Sequence, residues 1–423
     1  MLFDKGLKEE KLKYWEEKSF MLVIPSDNKS NYLDGIFDRV NDIDGIDVIY
    51  TKPIDLNKPG IINFNYDGSK YEMEVYISKF SIPKTYISKK YYFTDEELKK
   101  IESVGEAVTL SMKFHNNPKK DYSLQVKFAY TMFPDLIGLI DESAEKVLPF
   151  KWVKMVAESD VMVSPSDLYT VQAIYDEKGE VWLHTHGLNR CGITELEILN
   201  SSNVNYNNHY HLISSYANFL IDKVGDKYNP REDYAYIGVL SDRTPIVVTC
   251  RSWVNALSLY KKIKVGNKRD REKDHNGFSS VIFIYKSEAD LKKNKVSKVN
   301  IYDNLWGDNP IFFVNNLETE RMRKAARESF SYVLEAFENK DNHILIKIGI
   351  PVPKEYGNFE YIWFELLEVD NDKFKCSLTQ EPYNAKDIHE GDTNWYTLND
   401  VTDWIIYTKD NAITPSNVYI LMK

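Results

Sequence analysis

The sequence predicts an α+β protein: mainly antiparallel sheets with helices packed on one face, plus a small C-terminal domain of one helix and a bent β-sheet. Three observations lead there. The first 150 residues read β-α-β-β-α-β, so helices cover one face of a largely antiparallel sheet. Hairpin signals fall at Asp67-Gly68 and at Asp176–Gly179, each between strand-like runs. Near the C-terminus a single amphipathic helix is followed by a series of short strand-like runs. The pattern divides the chain into 1–150, 151–316 and 317–423.

In the first region "SFMLVIPSD" gives a short apolar strand around Phe20–Ile24. Leu33, Ile36, Phe37 and Val40 then recur at helical spacing. "IDVIYTK" and the two runs flanking Asp67-Gly68 are strands. Thr94, three residues before Glu97, is a capping-box start for "DEELKKIE". "AVTLSMKF" reads as strand and "DYSLQVKFAYTMF" as helix.

In the second region "DLYTVQAIYDEKGEVWLHTHGL" reads as a hairpin and "ITELEIL" as a third strand. Leu212, Ile213, Tyr216, Phe219, Leu220 and Val224 mark one face of a helix ended by Gly225. "DYAYIGVL" and "TPIVVTCRSW" form another strand pair. "GNKRDREKDHNG" (266–277) is expected to be a solvated, mobile loop. In the third region one helix face carries Met322, Ala325, Ala326, Phe330, Val333, Leu334 and Phe337. "HILIKIGI", "EYIWFELLEV", "KFKCSL", "NWYTL", "DWIIYT" and "NVYILM" follow as strand-like runs, which suggests a strongly bent sheet or partial barrel.

Composition bounds the function. Of 423 residues, 43% are hydrophobic, enough to form buried cores. The net charge is −10. A nucleic-acid or anionic-membrane partner would need a basic stripe, so neither is expected. The last 84 residues carry 8 Lys/Arg against 14 Asp/Glu, net −6, and would steer a basic partner. Three scattered cysteines, Cys191, Cys250 and Cys376, form no disulfide framework and fit a reducing compartment. The charged first twenty residues lack a signal-peptide core, and no stretch reaches membrane-spanning length, so a cytoplasmic location is expected.

The chemically densest stretch is "VWLHTHGLNRCGITELEI" (181–198). Strand alternation puts Trp182, His184 and His186 on one face, opposite Val181, Leu183 and Thr185. Glu195 and Glu197 likewise share a face. If the two strands neighbour each other, His184, His186, Glu195 and Glu197 could converge on a divalent metal, with Arg190 beside them, and a metal-dependent hydrolase is the alternative this admits. The competing reading is an ordinary cross-strand set of ion pairs, since no cupin-type or HExxH spacing is present. His209 and His211, two apart on a helix and so about 200° around it, cannot share a face. Cys191 reads as a small buried hydrophobe. Phosphate-loop, dinucleotide and nucleophile-elbow motifs are absent from the sequence. No cofactor is expected.

Thr185, Gly187, Leu188, Gly192, Glu195, Leu196 and Glu197 compose a T-x-G-L turn, a glycine and an E-L-E strand. This block resembles that of a bacterial domain family of unknown function, over roughly residues 15–315. Ala326-Arg327, "ILIKI", "YIWFELL", Gln380-Glu381-Pro382, Gly391-Asp392 and Val401-Thr402-Asp403-Trp404 resemble a second domain of unknown function. There Gln380 stands for Asn, Val401-Thr402 for Ile-Ser, and "TPSN" for a glycine pair. The second domain is similar to domains found among bacterial toxin-immunity proteins. The resemblance implies a protein that works by binding, toxin-neutralising or regulatory, with Glu381, Asp403 and Trp404 as candidate partner-binding residues. The sequence leaves the partner and the oligomeric state open.

Overall fold

The structure is a computed structural model that describes residues 17–26, 33–55, 58–83, 86, 91–274, 276–306 and 310–422. The chain forms two compact units: residues 1–153 with 163–313, and residues 154–162 with 314–423. The first two sequence regions therefore share one unit, apart from residues 154–162 and 314–316, which belong to the second.

In the first unit the opening sheet holds β1 (Lys18–Ile24), β2 (Ile46–Lys52), β3 (Gly60–Tyr66), β4 (Ser69–Lys79), β5 (Glu106–Lys113), β6 (Gly138–Asp141) and β7 (Lys146–Pro149). Their order is β2-β3-β4-β5-β1-β6-β7, and every pair is antiparallel. The run Met21–Ile24 is buried on both faces, which suits β1 to the middle of the sheet. Asp67-Gly68 joins β3 to β4 as expected. Helix α1 (Asp95–Glu102) opens with the capping box of Thr94 and Glu97. Helix α2 (Pro118–Met132) starts on Asn117, whose side chain accepts from the Lys120 N–H, with Pro118 in the first turn. Its buried Gln125 donates to the carbonyls of Ser19 and Leu110, at 3.2 and 3.0 Å. Helix α3 spans Phe150–Glu158, its residues from Lys154 onward belonging to the second unit.

The helix expected over Leu33–Val40 does not form. Gly35 adopts φ +70°, a left-handed conformation that interrupts helical propagation. Only a 3-10 turn, Arg39–Asp42, follows, although Ile36 and Val40 are buried as their spacing suggests. Asn31 and Tyr32, the start of that stretch, lie outside the described residues.

The second sheet of this unit contains β8 (Thr170–Tyr175), β9 (Glu180–His186), β10 (Leu196–Ser202), β11 (Ala235–Val239), β12 (Pro245–Ser252), β13 (Ser280–Ile284), β14 (Ser297–Lys298) and β15 (Ile311–Phe312). The order is β15-β11-β12-β13-β10-β9-β8, with β14 on β13. Strands β10 and β13 are parallel and their neighbours antiparallel. Asp176 closes the β8–β9 turn by accepting from the N–H groups of Lys178 and Glu180. Helix α4 (Tyr206–Asp222) buries Leu212, Ile213, Tyr216 and Leu220; the short helices are α5 (Trp253–Leu257), whose Ala256 packs with Trp182, Val281 and Phe283, and α6 (Glu288–Lys292).

The second unit contains α7 (Asn316–Glu328), α8 (Phe330–Phe337) and strands β16 (His343–Pro351), β17 (Phe359–Asp370), β18 (Lys373–Leu378), β19 (Thr393–Thr397), β20 (Val401–Tyr407) and β21 (Ala412–Ile413). The single expected helix is broken at Ser329, whose hydroxyl donates to the Ala325 carbonyl at 2.6 Å. The sheet is open, in the order β19-β18-β17-β16-β20-β21, and does not close into a barrel. Ile344, Ile346, Ile348, Ile362, Phe364 and Trp404 fill its inner face against Ala326, Phe330 and Val333. "NVYILM" is not a strand. Thr414, Pro415 and Asn417 start a 3-10 segment, Pro415–Leu421, with the Asn417 side chain accepting from the Thr414 N–H at 2.6 Å. The "TPSN" sequence thus supplies a cap where the resembled domain has a glycine pair. Among the described residues no helix is long and apolar enough to cross a membrane.

Candidate functional site

Strands β9 and β10 are neighbours, and Glu197 lies directly across from His184. Yet the four candidate ligands do not converge. From Val181 onward β9 is buried on both faces, so its polar face does not look into a cleft. His184 is enclosed, with its ring centroid 4.3 Å from that of Trp182 and 4.9 Å from that of His186. His186 turns towards Glu145, with Nδ1 3.5 Å from the carboxylate.

The two glutamates part company because β10 begins only at Leu196. Strand parity therefore does not extend to Glu195. Its carboxylate accepts from the Thr185 hydroxyl at 2.6 Å and from the N–H groups of Gly187 and Asn189 at 2.9 and 3.1 Å. It thereby fastens the turn 187–192. That turn needs glycine at 187: φ is +109°, and a Cβ would lie 2.5 Å from the Leu168 carbonyl oxygen. The spacing of Thr185, Gly187 and Glu195 in the motif is thus the spacing of a structural clasp. Burial pushes the Glu195 carboxyl up from 4.5 to about 7, against the opposing hydrogen bonds from Thr185, Asn189 and Gly187. A folded-state value above the unfolded one favours folding fully below about 4.5, and that contribution disappears as pH rises to about 7. The difference corresponds to about 3 kcal/mol. Urea unfolding at pH 5 and pH 8 should therefore show a larger loss of stability for the native chain than for Glu195→Gln. Equal losses would refute this assignment.

Glu197 is held by a residue from the stretch expected to be a mobile loop. Residues 268–274 instead form a 3-10 segment, in which Arg271 is buried; His275 lies outside the described residues. The Arg271 guanidinium meets the Glu197 carboxylate at 2.6 and 2.5 Å and lies over the rings of Trp182 and Trp253, 4.9 and 4.5 Å from their centroids. Trp182 Nε1 donates to the same carboxylate at 3.1 Å, and the Ser279 hydroxyl joins it. Both oxygens of Glu197 are committed to protein donors, leaving it unsuited to coordinate an ion.

Arg190 forms a second buried clamp. Its guanidinium spans Asp141 at 2.6 and 2.8 Å and also donates to the Leu168 carbonyl at 2.5 Å and the Ser19 hydroxyl at 3.2 Å. Tyr122 donates its hydroxyl to Asp141 at 3.0 Å, and Lys146 approaches to 3.7 Å. Burial alone would raise the Asp141 carboxyl; Arg190 and Lys146 outweigh it and hold it below the usual carboxylate range. Arg271, Asp141 and Ser279 were invisible as members of these networks. Each is an ordinary polar residue in its own stretch, and only long-range packing brings it to its partner.

Burial pushes the thiols of Cys191 and Cys250 up to about 12, so neither is primed as a nucleophile. His209 and His211 take different faces of α4, as their spacing requires: the first is buried and the second exposed. His209 Nδ1 is 2.7 Å from the Ser201 hydroxyl, and its Nε2 is 3.1 Å from Asp303. This Ser–His–Asp row is enclosed at Ser201, which has no accessible surface, so no substrate carbonyl can reach the hydroxyl. Among the described residues, no group of three or more His, Cys, Asp or Glu side chains is arranged to hold a metal.

The C-terminal candidates also separate. Trp404 is a core residue, 0% exposed, with Nε1 donating to the Ala326 carbonyl at 2.9 Å; it has no surface to offer a partner. Asp403 is half-buried, and burial raises its carboxyl. Glu381 is exposed and bonded to His389 Nδ1 at 2.8 Å; this bond lowers the Glu381 carboxyl and raises the His389 imidazole.

No curated protein and no solved structure matches the chain. Residues 19–163 match the family model "Protein of unknown function (DUF4026) N-terminal", and residues 171–283 match its C-terminal counterpart. Residues 317–421 match "Uncharacterized protein conserved in bacteria (DUF2314)". The chain thus carries the N- and C-terminal domains of DUF4026 followed by a DUF2314 domain.

Proposed function

We propose that the chain works by binding a basic protein partner, and that the outer face of the C-terminal sheet receives it. The observation that carries this reading is the set of aromatic side chains left on that face. Phe359, Tyr361, Trp395 and Tyr407 are 40–48% exposed, while the alternate positions Ile362, Phe364 and Ile406 are core. Cross-strand pairing places Tyr407 beside His343, Tyr361 beside Gly349 and Trp395 beside Lys375. Exposed aromatics of this kind supply the large contact areas of protein-binding hot spots. The charge of residues 340–423, 8 Lys/Arg against 14 Asp/Glu, selects a cationic partner. Toxin neutralisation or regulation is the form such binding would take, since neither needs a catalytic group. The hydrolase alternative has no support in the placement of His184, His186, Glu195 and Glu197.

Crosslinking capture from the native host tests the reading. The native chain should capture a basic protein at low salt and lose it at high salt. Tyr361→Ala with Trp395→Ala should weaken the purified pair by about 30-fold or more while leaving the fold intact, the effect of removing a hot spot worth about 2 kcal/mol. A partner held equally well by this variant, or an acidic one, would overturn the assignment.

A further inference from the structure

From Arg243 to Arg269 the sequence contains seven Lys or Arg residues and no Asp or Glu, within a chain of net charge −10. The end of this run folds around an open cavity of about 650 Å³ in the DUF4026 unit. Tyr260 and Ile263 give it an apolar wall, and Lys261, Lys262, Lys268 and Arg269 bring four cations to it. All four are exposed, and among the described residues none of them is in an ion pair. The neighbouring carboxylates are already engaged. Asp270 accepts from the N–H groups of Gly266 and Asn267, and Glu180 pairs with Lys264. Lys298 adds a further cation, its Nζ 4.3 Å from the Tyr260 ring centroid.

We propose that this cavity binds a small, multiply charged phosphate ester that also carries a ring. Clustered cations that outnumber the nearby carboxylate of Asp270 create a net positive field that an anion relieves. Lysine ammonium and arginine guanidinium groups are suited to phosphate oxygens. Leu257 and Ile263, beside the edge of the largely buried Tyr260, supply an apolar wall for the ring. The cavity, about 650 Å³ and open to solvent, has room for a ligand of that size. The acidic balance of the whole chain disfavours a long polyanion, which would extend beyond this patch.

Calorimetry on the full chain with ATP and with inorganic tripolyphosphate as probes tests the proposal. ATP should bind more tightly than tripolyphosphate, and binding should weaken as salt screens the charges. Lys261→Glu with Lys268→Glu and Arg269→Glu should weaken ATP binding at least about tenfold. Lys292→Glu with Lys293→Glu, at the end of α6, should leave it unchanged. Failure of both probes to bind, or equal weakening in the two variants, would overturn the site. Equal affinity for the two probes would remove the ring from the assignment. Tighter binding of a short oligonucleotide than of ATP would replace the small ester with nucleic acid.

Discussion

Arg271→Met is expected to lower stability by about 3–5 kcal/mol, measured by urea unfolding followed through tryptophan fluorescence. The reason is what the substitution leaves behind. Glu197 is fully buried, and Arg271 provides its only ion pair among the described residues. Without the guanidinium, the Trp182 and Ser279 donors remain, but the charge is uncompensated. The two indoles, over which Arg271 now lies, would face a flexible thioether instead of a planar cation. Glu197→Leu should cost a similar amount, because it strands a buried cation. The double variant Arg271→Met with Glu197→Leu should be much less unstable than the sum of the two single variants, giving a coupling of about 2–3 kcal/mol. Single-variant effects within about 0.5 kcal/mol of the native chain would show that residues 268–274 do not hold this position in solution.

The Glu197–Arg271 pair joins two distant stretches that no local sequence rule connects. Local rules reached the elements that obey local chemistry: the Asp67-Gly68 hairpin, the Thr94–Glu97 capping box and Leu212, Ile213, Tyr216 and Leu220 of α4 lie where their patterns place them, while Val224 falls beyond the helix end at Asp222. Strand alternation puts His184 and Glu197 on faces that meet if their strands are neighbours, and the structure pairs them directly. It failed at Glu195, which lies one residue before the strand and follows the turn geometry instead. It failed again at residues 266–277, where seven charged side chains among twelve residues mask one that is buried. Charge density signals solvent only on average; a single arginine with a carboxylate and two indoles to receive it reverses the inference. The helix read at Leu33–Val40 failed because one glycine angle outweighs four well-spaced apolar residues. The candidate metal site was therefore legible as a concentration of polar groups, and its structural use was decided by partners 49 and 74 residues away.

Arg190→Met should be the second large destabiliser, again by about 3–5 kcal/mol, with a consequence specific to the architecture. Arg190 stands in the turn of the DUF4026 C-terminal domain, while Ser19 and Asp141 belong to the N-terminal domain and Leu168 lies between the two matched segments. One guanidinium thus fastens both domains of the first unit through buried hydrogen bonds. Its loss leaves Asp141 with the Tyr122 hydroxyl, the Ala144 N–H and a more distant Lys146, without its close ion pair. Asp141→Asn in the native background isolates the charge. Because the folded-state carboxyl of Asp141 lies below its ordinary value of 3.8, its contribution is present above about pH 4 and is lost as pH falls through the lowered value. Native protein should consequently lose stability on acidification below pH 4 more steeply than Asp141→Asn, which has already lost that contribution at neutral pH. Limited proteolysis gives the architectural readout: in Arg190→Met, cleavage between residues 163 and 171 should accelerate relative to cleavage within α7. Equal acceleration at both places would mean that Arg190 supports general stability without joining the two DUF4026 domains.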